Sequence, residues 1–250
     1  MKNSLRSLAP ALGAIALLGS AQGVLAHTTF ETSTMSEGVR VLNNVQIGHA
    51  CGATKRVIAT SVVFPDGKDS TITLGGQPYT GALTDFLNAW GPNIQPLFSR
   101  AVFDEVKEKN DAAGNVVGFW AGGGPGMPND MVAYVPFRVN ATSIKPTSCA
   151  TSVRFRASIV DICEITTAAN MHLDNGSGPA AEFWTVAGLG TVYDATATAA
   201  ANLTITRNLT TNPLPAACGS GQAVEVTASA AQINRDMPIV YNGVQVWPAR

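Results

Sequence analysis

Residues 151–163, TSVRFRASIVDIC, set Val153, Phe155, Ala157 and Ile159 against Arg154, Arg156 and Ser158. An alternation this long fits an extended strand, because successive side chains of a strand leave on opposite faces. One phase is dry and the other wet, so the strand belongs to a sheet with one face in a core and one in water, as antiparallel pairing allows. The same signal recurs along the chain. GVRVLNNVQIGH puts Val39, Val41, Val45 and Ile47 on one face, with Asn43 as the exception, and DMVAYVPFRVN alternates Met131, Ala133, Val135, Phe137 and Val139. KRVIATSVVF is a β-branched run closed by the turn Pro65-Asp66-Gly67. IVYNGVQVW places Asn242-Gly243 between two apolar runs, a strong hairpin signal. Many short strands divided by turns predict an all-β fold, an antiparallel β-sandwich. In TGALTDFLNAW, Leu83, Phe86, Leu87 and Trp90 fall at helical spacing before Gly91-Pro92, which predicts a short helix packed on the sandwich. Residues 108–115, 122–130 and 172–179 read as loops. No repeat and no linker divides the chain.

The first 26 residues read as a secretory signal. Lys2 and Arg6 precede an apolar run, and Val24 and Ala26 supply the small residues of a cleavage site. Cleavage after Ala26 leaves a single domain over 27–250 that is periplasmic or secreted, with no membrane span. Only two of the 16 basic residues and none of the 17 acidic ones lie in the signal, so the remainder carries a net charge of −3. No basic patch points to nucleic acid. Cys51, Cys149, Cys163 and Cys218 all lie beyond the signal, which in an exported chain reads as two disulfides, with three pairings open.

His27 is one of three histidines, and cleavage after Ala26 makes it the first residue. An N-terminal histidine offers its α-amino nitrogen and its ring Nδ1 to one metal ion in a single chelate. Both nitrogens deprotonate near neutral pH, with pKa values of about 8 and about 6.5. Planar nitrogen donors suit Cu(II), and binding would release protons.

The order of motifs around and beyond His27 resembles the YcnI-like copper-binding domain family. AHTTFETSTMSEGVRVLNNVQIGHAC carries GHAC at 48–51, and VVFPDG follows at 62–67. VVGFWAGGG (116–124), MVAYVPFRV and VRFRASIVDIC come next, and Trp184 follows Cys163. The resemblance covers roughly 27–190 and leaves 191–250 as extra strands. It implies an exported, non-catalytic β-sandwich that holds Cu(II) in copper delivery or tolerance, with another copper-trafficking protein as partner. The implied brace comprises the amine and ring of His27, a carboxylate, and Trp184 beside the metal. The implied disulfides are Cys51–Cys163 and Cys149–Cys218. The family's carboxylate element is not intact here; its nearest counterpart is DFLNAWGPN, which nominates Asp85, with Asp66 and Asp69 behind it. An insertion between Cys163 and Trp184 holds Met171, His172 and Asp174.

His49 and His172 are the additional candidate ligands. His49 beside His27 would make a two-histidine brace of the kind found in copper oxygenases. His172, in a loop, could close over the metal. The other class of reading is a structural or adhesive sandwich with no metal. No G-x-S-x-G, H-E-x-x-H or P-loop motif is present, and GGGPG (122–126) lacks the lysine of a phosphate cradle.

Overall fold

The computed structural model describes residues 27–250. The expected signal over 1–26 and its cleavage point lie outside them. The described chain opens with β1 (Thr29–Phe30), β2 (Thr34–Ser36) and β3 (Val41–Ile47), followed by β4 (Val57–Val63), β5 (Ser70–Leu74) and β6 (Gln77–Tyr79). The middle contributes β7 (Ile94–Pro96), β8 (Glu105–Asn110), β9 (Val116–Met127), β10 (Ala133–Val139), β11 (Ala150–Ile162) and β12 (Ala181–Trp184). The last part holds β13 (Ala201–Thr206), β14 (Gln222–Ala228), helix α1 (Ala230–Asp236) and the hairpin of β15 (Ile239–Tyr241) and β16 (Val244–Trp247).

The protein is an all-β sandwich. A four-stranded sheet, β1-β3-β10-β7, faces a ten-stranded sheet ordered β6-β5-β14-β11-β4-β9-β8, to which β12, β13 and β2 are joined through β11 and β13. Pairing is antiparallel except for β11–β14 and β2–β13. The core between the sheets centres on Phe137, which meets Phe30, Phe64 and Phe119 at ring separations of 5.2, 5.8 and 5.9 Å. Burying these aromatic and β-branched side chains supplies the main driving force.

Strand β11 is shared among four partners. Residues 152–157 pair with β13 on one side while 150–156 pair with β14 on the other. Beyond that point 158–162 pair with β4 and 159–162 with β12. The last 60 residues therefore do more than extend an edge, since β13 and β14 flank the first half of β11. The predicted alternation holds in its dry phase: Val153, Phe155, Ala157 and Ile159 are all fully buried. It fails in its wet phase at Ser158, which is buried because a second apolar layer covers this end of the sheet. Met171, Ile233, Met237 and Trp247 close that layer over Val63, Val160 and Ile162.

The helix predicted at 80–90 is corrected to a single 3₁₀ turn, Leu83–Asp85. Leu83, Phe86 and Leu87 are buried as their spacing required, but neighbouring backbone takes the groups a helix would need. Phe86 O accepts from Lys145 N, and Asn88 N donates to Ser143 O. The α-helix lies instead at Ala230–Asp236, where the Ser229 side chain caps the start by accepting from Gln232 N. At the predicted hairpin Asn242 and Gly243 have φ of 48° and 78°, as a type I′ turn requires. Met131 and Val39 lie just outside β10 and β3, and both are exposed. No helix among the described residues is long and apolar enough to cross a membrane.

Candidate metal centre

Both disulfides take the pairing the resemblance implied, Cys51–Cys163 and Cys149–Cys218. The first builds the site. It joins the loop that carries His49, two residues before Cys51, to the end of β11, where Asp161 lies two residues before Cys163.

Asp161 continues the dry phase of β11 past Ile159, so a carboxylate enters the sandwich interior at 1% exposure. A buried charge needs donors, and it has three. Thr60 Oγ1 donates to Oδ1 at 2.8 Å, and Trp184 Nε1 and Thr28 Oγ1 donate to Oδ2, the indole at 2.9 Å. Burial pushes the Asp161 carboxyl up from the usual aspartate range, and these hydrogen bonds pull it back. Thr28 is itself buried and fixes the chain one residue from His27.

Glu182 pairs directly with Asp161 across the β11–β12 ladder, and Trp184 pairs with Ile159. Directly opposed residues share a face, so both carboxylates and the indole line the same end of the core. Burial pushes Glu182 up to about 7; His49 opposes that rise and the Asp161 charge adds to it. Glu182 Oε2 is buried and accepts no hydrogen bond among the described residues. It lies 3.3 Å from His49 Nδ1. That same Nδ1 is 2.9 Å from Ala50 O, which can only accept, so Nδ1 carries a proton. The His27 ring lies 4.8 Å from Trp184, tilted by 37°, and the His49 ring meets the same indole edge-on at 5.7 Å.

The structure therefore brings His27, His49 and Trp184 together, with His172 lining the same pocket as His49 and Trp184, and leaves Asp85 elsewhere. Asp85 is corrected: its Oδ2 accepts from Tyr79 Oη at 2.9 Å and from Ala82 N at 2.8 Å. Tyr79 belongs to β6, four pairing steps from β12 along the sheet, and so on the order of 20 Å from Trp184 at ordinary strand spacing. Asp66 and Asp69 are engaged by Arg235. His172 lines the same pocket as His49, Glu182 and Trp184, a cavity of about 290 Å³, from its far side. Its ring stacks on Phe183 at 4.1 Å, on the β12 face opposite Trp184, and its Nε2 lies 2.7 Å from Val192 O. Its loop is pinned, since Lys55 Nζ donates to Gly178 O and Pro179 O and Asp174 accepts from Gly176 N and Gly178 N.

Asp161 and Glu182 were missed. The signal for Asp161 was its phase: in IVDIC it falls where the strand demands an apolar residue, next to a cysteine. Glu182 stands two residues before Trp184 in AEFW, so the two share a face in any strand.

The imidazole nitrogens and carboxylate oxygens gathered here are donor types that a borderline cation takes. Among the described residues no three His, Cys, Asp or Glu side chains converge as a ready metal cage. A brace does not require one, because its second nitrogen is a backbone amine. Glu182 Oε2 accepts no hydrogen bond among the described residues, whereas both oxygens of Asp161 are already engaged.

No family model matches the chain, and no curated protein matches it. A solved structure of an uncharacterized protein from Nocardia farcinica, described as having an immunoglobulin-like fold, is similar at 13% identity and a TM-score of 0.35. The match covers 72% of this chain and 99% of that one.

Proposed function

We propose that the protein, once cleaved after Ala26, binds Cu(II) non-catalytically at the end of the sandwich, in copper delivery or tolerance, as the YcnI-like resemblance implies. The amine and ring of His27 give two nitrogens and Glu182 gives the carboxylate in place of Asp85. Trp184 stands against the His27 ring, and Asp161 holds Trp184 and Thr28 in position. The observation that carries this reading is the buried Glu182 oxygen, without a hydrogen bond among the described residues and 3.3 Å from His49 Nδ1, beside two histidine rings that share one indole. A partly buried carboxylate whose ionisation burial disfavours would gain from a bound cation. The second reading, a two-histidine brace, rests on His49, whose ring would supply the extra nitrogen.

The test compares Cu(II) titrations of the processed protein with those of a form carrying one added alanine before His27. The brace predicts a loss of at least about a hundredfold in affinity, beyond the effect of an outer-sphere change. Equal affinities would remove it and leave the structural sandwich. Electron paramagnetic resonance then separates the copper readings: two nitrogens support the single-histidine brace. Three nitrogens, reduced to two by His49→Ala, support the other.

A further inference from the structure

The four-stranded sheet has a core face and an outer face. On β3 and β10 the inward phase, Asn43, Val45, Ile47, Val135, Phe137 and Val139, is buried. The outward phase is therefore Leu42, Asn44 and Gln46 on β3 and Tyr134, Pro136 and Arg138 on β10. Leu42 is 72% exposed and Tyr134 46%. Register sets these residues in rows, with Gln46 opposite Tyr134, Asn44 opposite Pro136 and Leu42 opposite Arg138. Leu42, Pro136 and Tyr134 thus form an apolar diagonal across the face, and the exposed Met131 and Val132 continue it beyond Tyr134. One charged residue flanks each side of the diagonal. Arg138 lies on one side, in the row of Leu42. Glu31 lies on the other, just after β1, where its N–H donates to Asn44 O and its Oε2 accepts from Asn44 Nδ2 at 2.6 Å. Arg154, Arg156 and Arg235 each reach a carboxylate, but Arg138 has none within ion-pair distance among the described residues. Two strands and two residues separate it from Glu31, about 12 Å between Cα atoms at ordinary strand spacing.

We propose that a second copy of this chain covers the outer face, in a two-fold symmetric dimer whose axis runs along the diagonal. Such a contact needs a surface complementary to itself. A half-turn about the diagonal lays the apolar stripe on its own copy and exchanges the two flanks, so each Arg138 faces the Glu31 of the other copy. The stripe supplies the apolar centre of the interface, and the two charge pairs fix its register. Four strands of up to seven residues project about 450 Å², and Met131 and Val132 extend this toward the ~800 Å² per partner of a standard interface. The pairing uses no residue of the metal centre.

The exported chain, residues 27–250, is followed by sedimentation equilibrium from about 1 to 200 µM, where a reversible monomer–dimer equilibrium is expected. Arg138→Glu and Glu31→Arg should each weaken self-association at least about tenfold, because each sets like charges face to face. Mixed in equal amounts, the two variants should associate with each other within about threefold of the unmodified affinity, because every facing pair is again one arginine and one glutamate. Leu42→Lys, on the stripe itself, should weaken the dimer at least about tenfold without any change at the charge pairs. All three positions face outward, so circular dichroism and thermal unfolding should stay those of the unmodified protein. A chain that remains monomeric over the whole range, a dimer indifferent to both charge reversals, or folded variants that fail to associate on mixing would each overturn the proposal.

Discussion

The two halves of β11 obey different rules. In the first half the outer face stays wet: Arg154 and Arg156 reach Glu225 at 3.4 Å, while Val153, Phe155 and Ala157 fill the core. In the second half both faces are buried. The outer phase gives Ser158, Val160 and Ile162 to the second apolar layer, and the inner phase ends in Asp161. A polar residue in the first half costs little because water serves it. In the second half each one must be satisfied by protein, and the carboxylate that breaks the dry pattern carries three donors for that reason. The polar residues of a doubly covered strand are thus where structure or function makes a demand.

The largest expected break in this contrast comes from the disulfide that closes the second half. Cys51→Ala with Cys163→Ala opens a link spanning 112 residues and should cost about 2–5 kcal/mol in denaturant unfolding. It should also weaken Cu(II) binding, because His49 and Asp161 lose their common anchor. Removing Cys149–Cys218, beside the start of β11, should destabilise the fold while leaving copper affinity within about threefold. Asp161→Ala comes next. It orphans buried donors on Thr28, Thr60 and Trp184, and should cost about 2–3 kcal/mol. Glu182→Gln should separate site from scaffold: it removes a carboxylate that burial already disfavours, so stability holds or rises while Cu(II) affinity falls.

How much of this was legible follows from the same contrast. Strand positions, the Asn242-Gly243 hairpin and the buried phase of β11 were readable because alternation and turn chemistry are local. The burial of Ser158 was not, because the cover over it comes from α1 and the last hairpin, far away in sequence. The helix over 80–90 was misread since its apolar spacing is real but its backbone bonds go to residues 143–145. Of the site, His27, His49 and Trp184 do lie as neighbours. Asp85 was chosen by motif position, and no local signal reports the three strands that lie between β6 and β12. Asp161 was readable by phase alone.

The contrast is sharpened by Lys109, which reaches beneath α1 on the covered side. Its Nζ lies 2.6 Å from Ser61 Oγ and Asp236 O and 3.0 Å from Met237 O, so it serves the last carbonyls of the helix. Burial pushes the ammonium down to about 7, against a weaker opposing pull from Asp236. Between about pH 7 and 10.5 the unfolded chain therefore holds a proton that the folded chain has released. Stability should rise with pH across that window, by about 2–3 kcal/mol between pH 7.5 and 9.5. Lys109→Met should remove this rise, measured as the difference between the two proteins in urea unfolding at each pH.

The smallest effect should come from the wet half. Arg154 is 49% exposed at its side chain and shares Glu225 with Arg156, so neither pairing removes much charge from water. Arg154→Ala should change stability by no more than about 0.5 kcal/mol at low salt, and by less at 0.5 M NaCl. A loss of 2 kcal/mol or more, roughly the size expected for Asp161→Ala, would mean that the outer face of the first half is as closed as that of the second. The two-rule description of β11 would then fail at its simpler end, because water would not be serving the polar phase there.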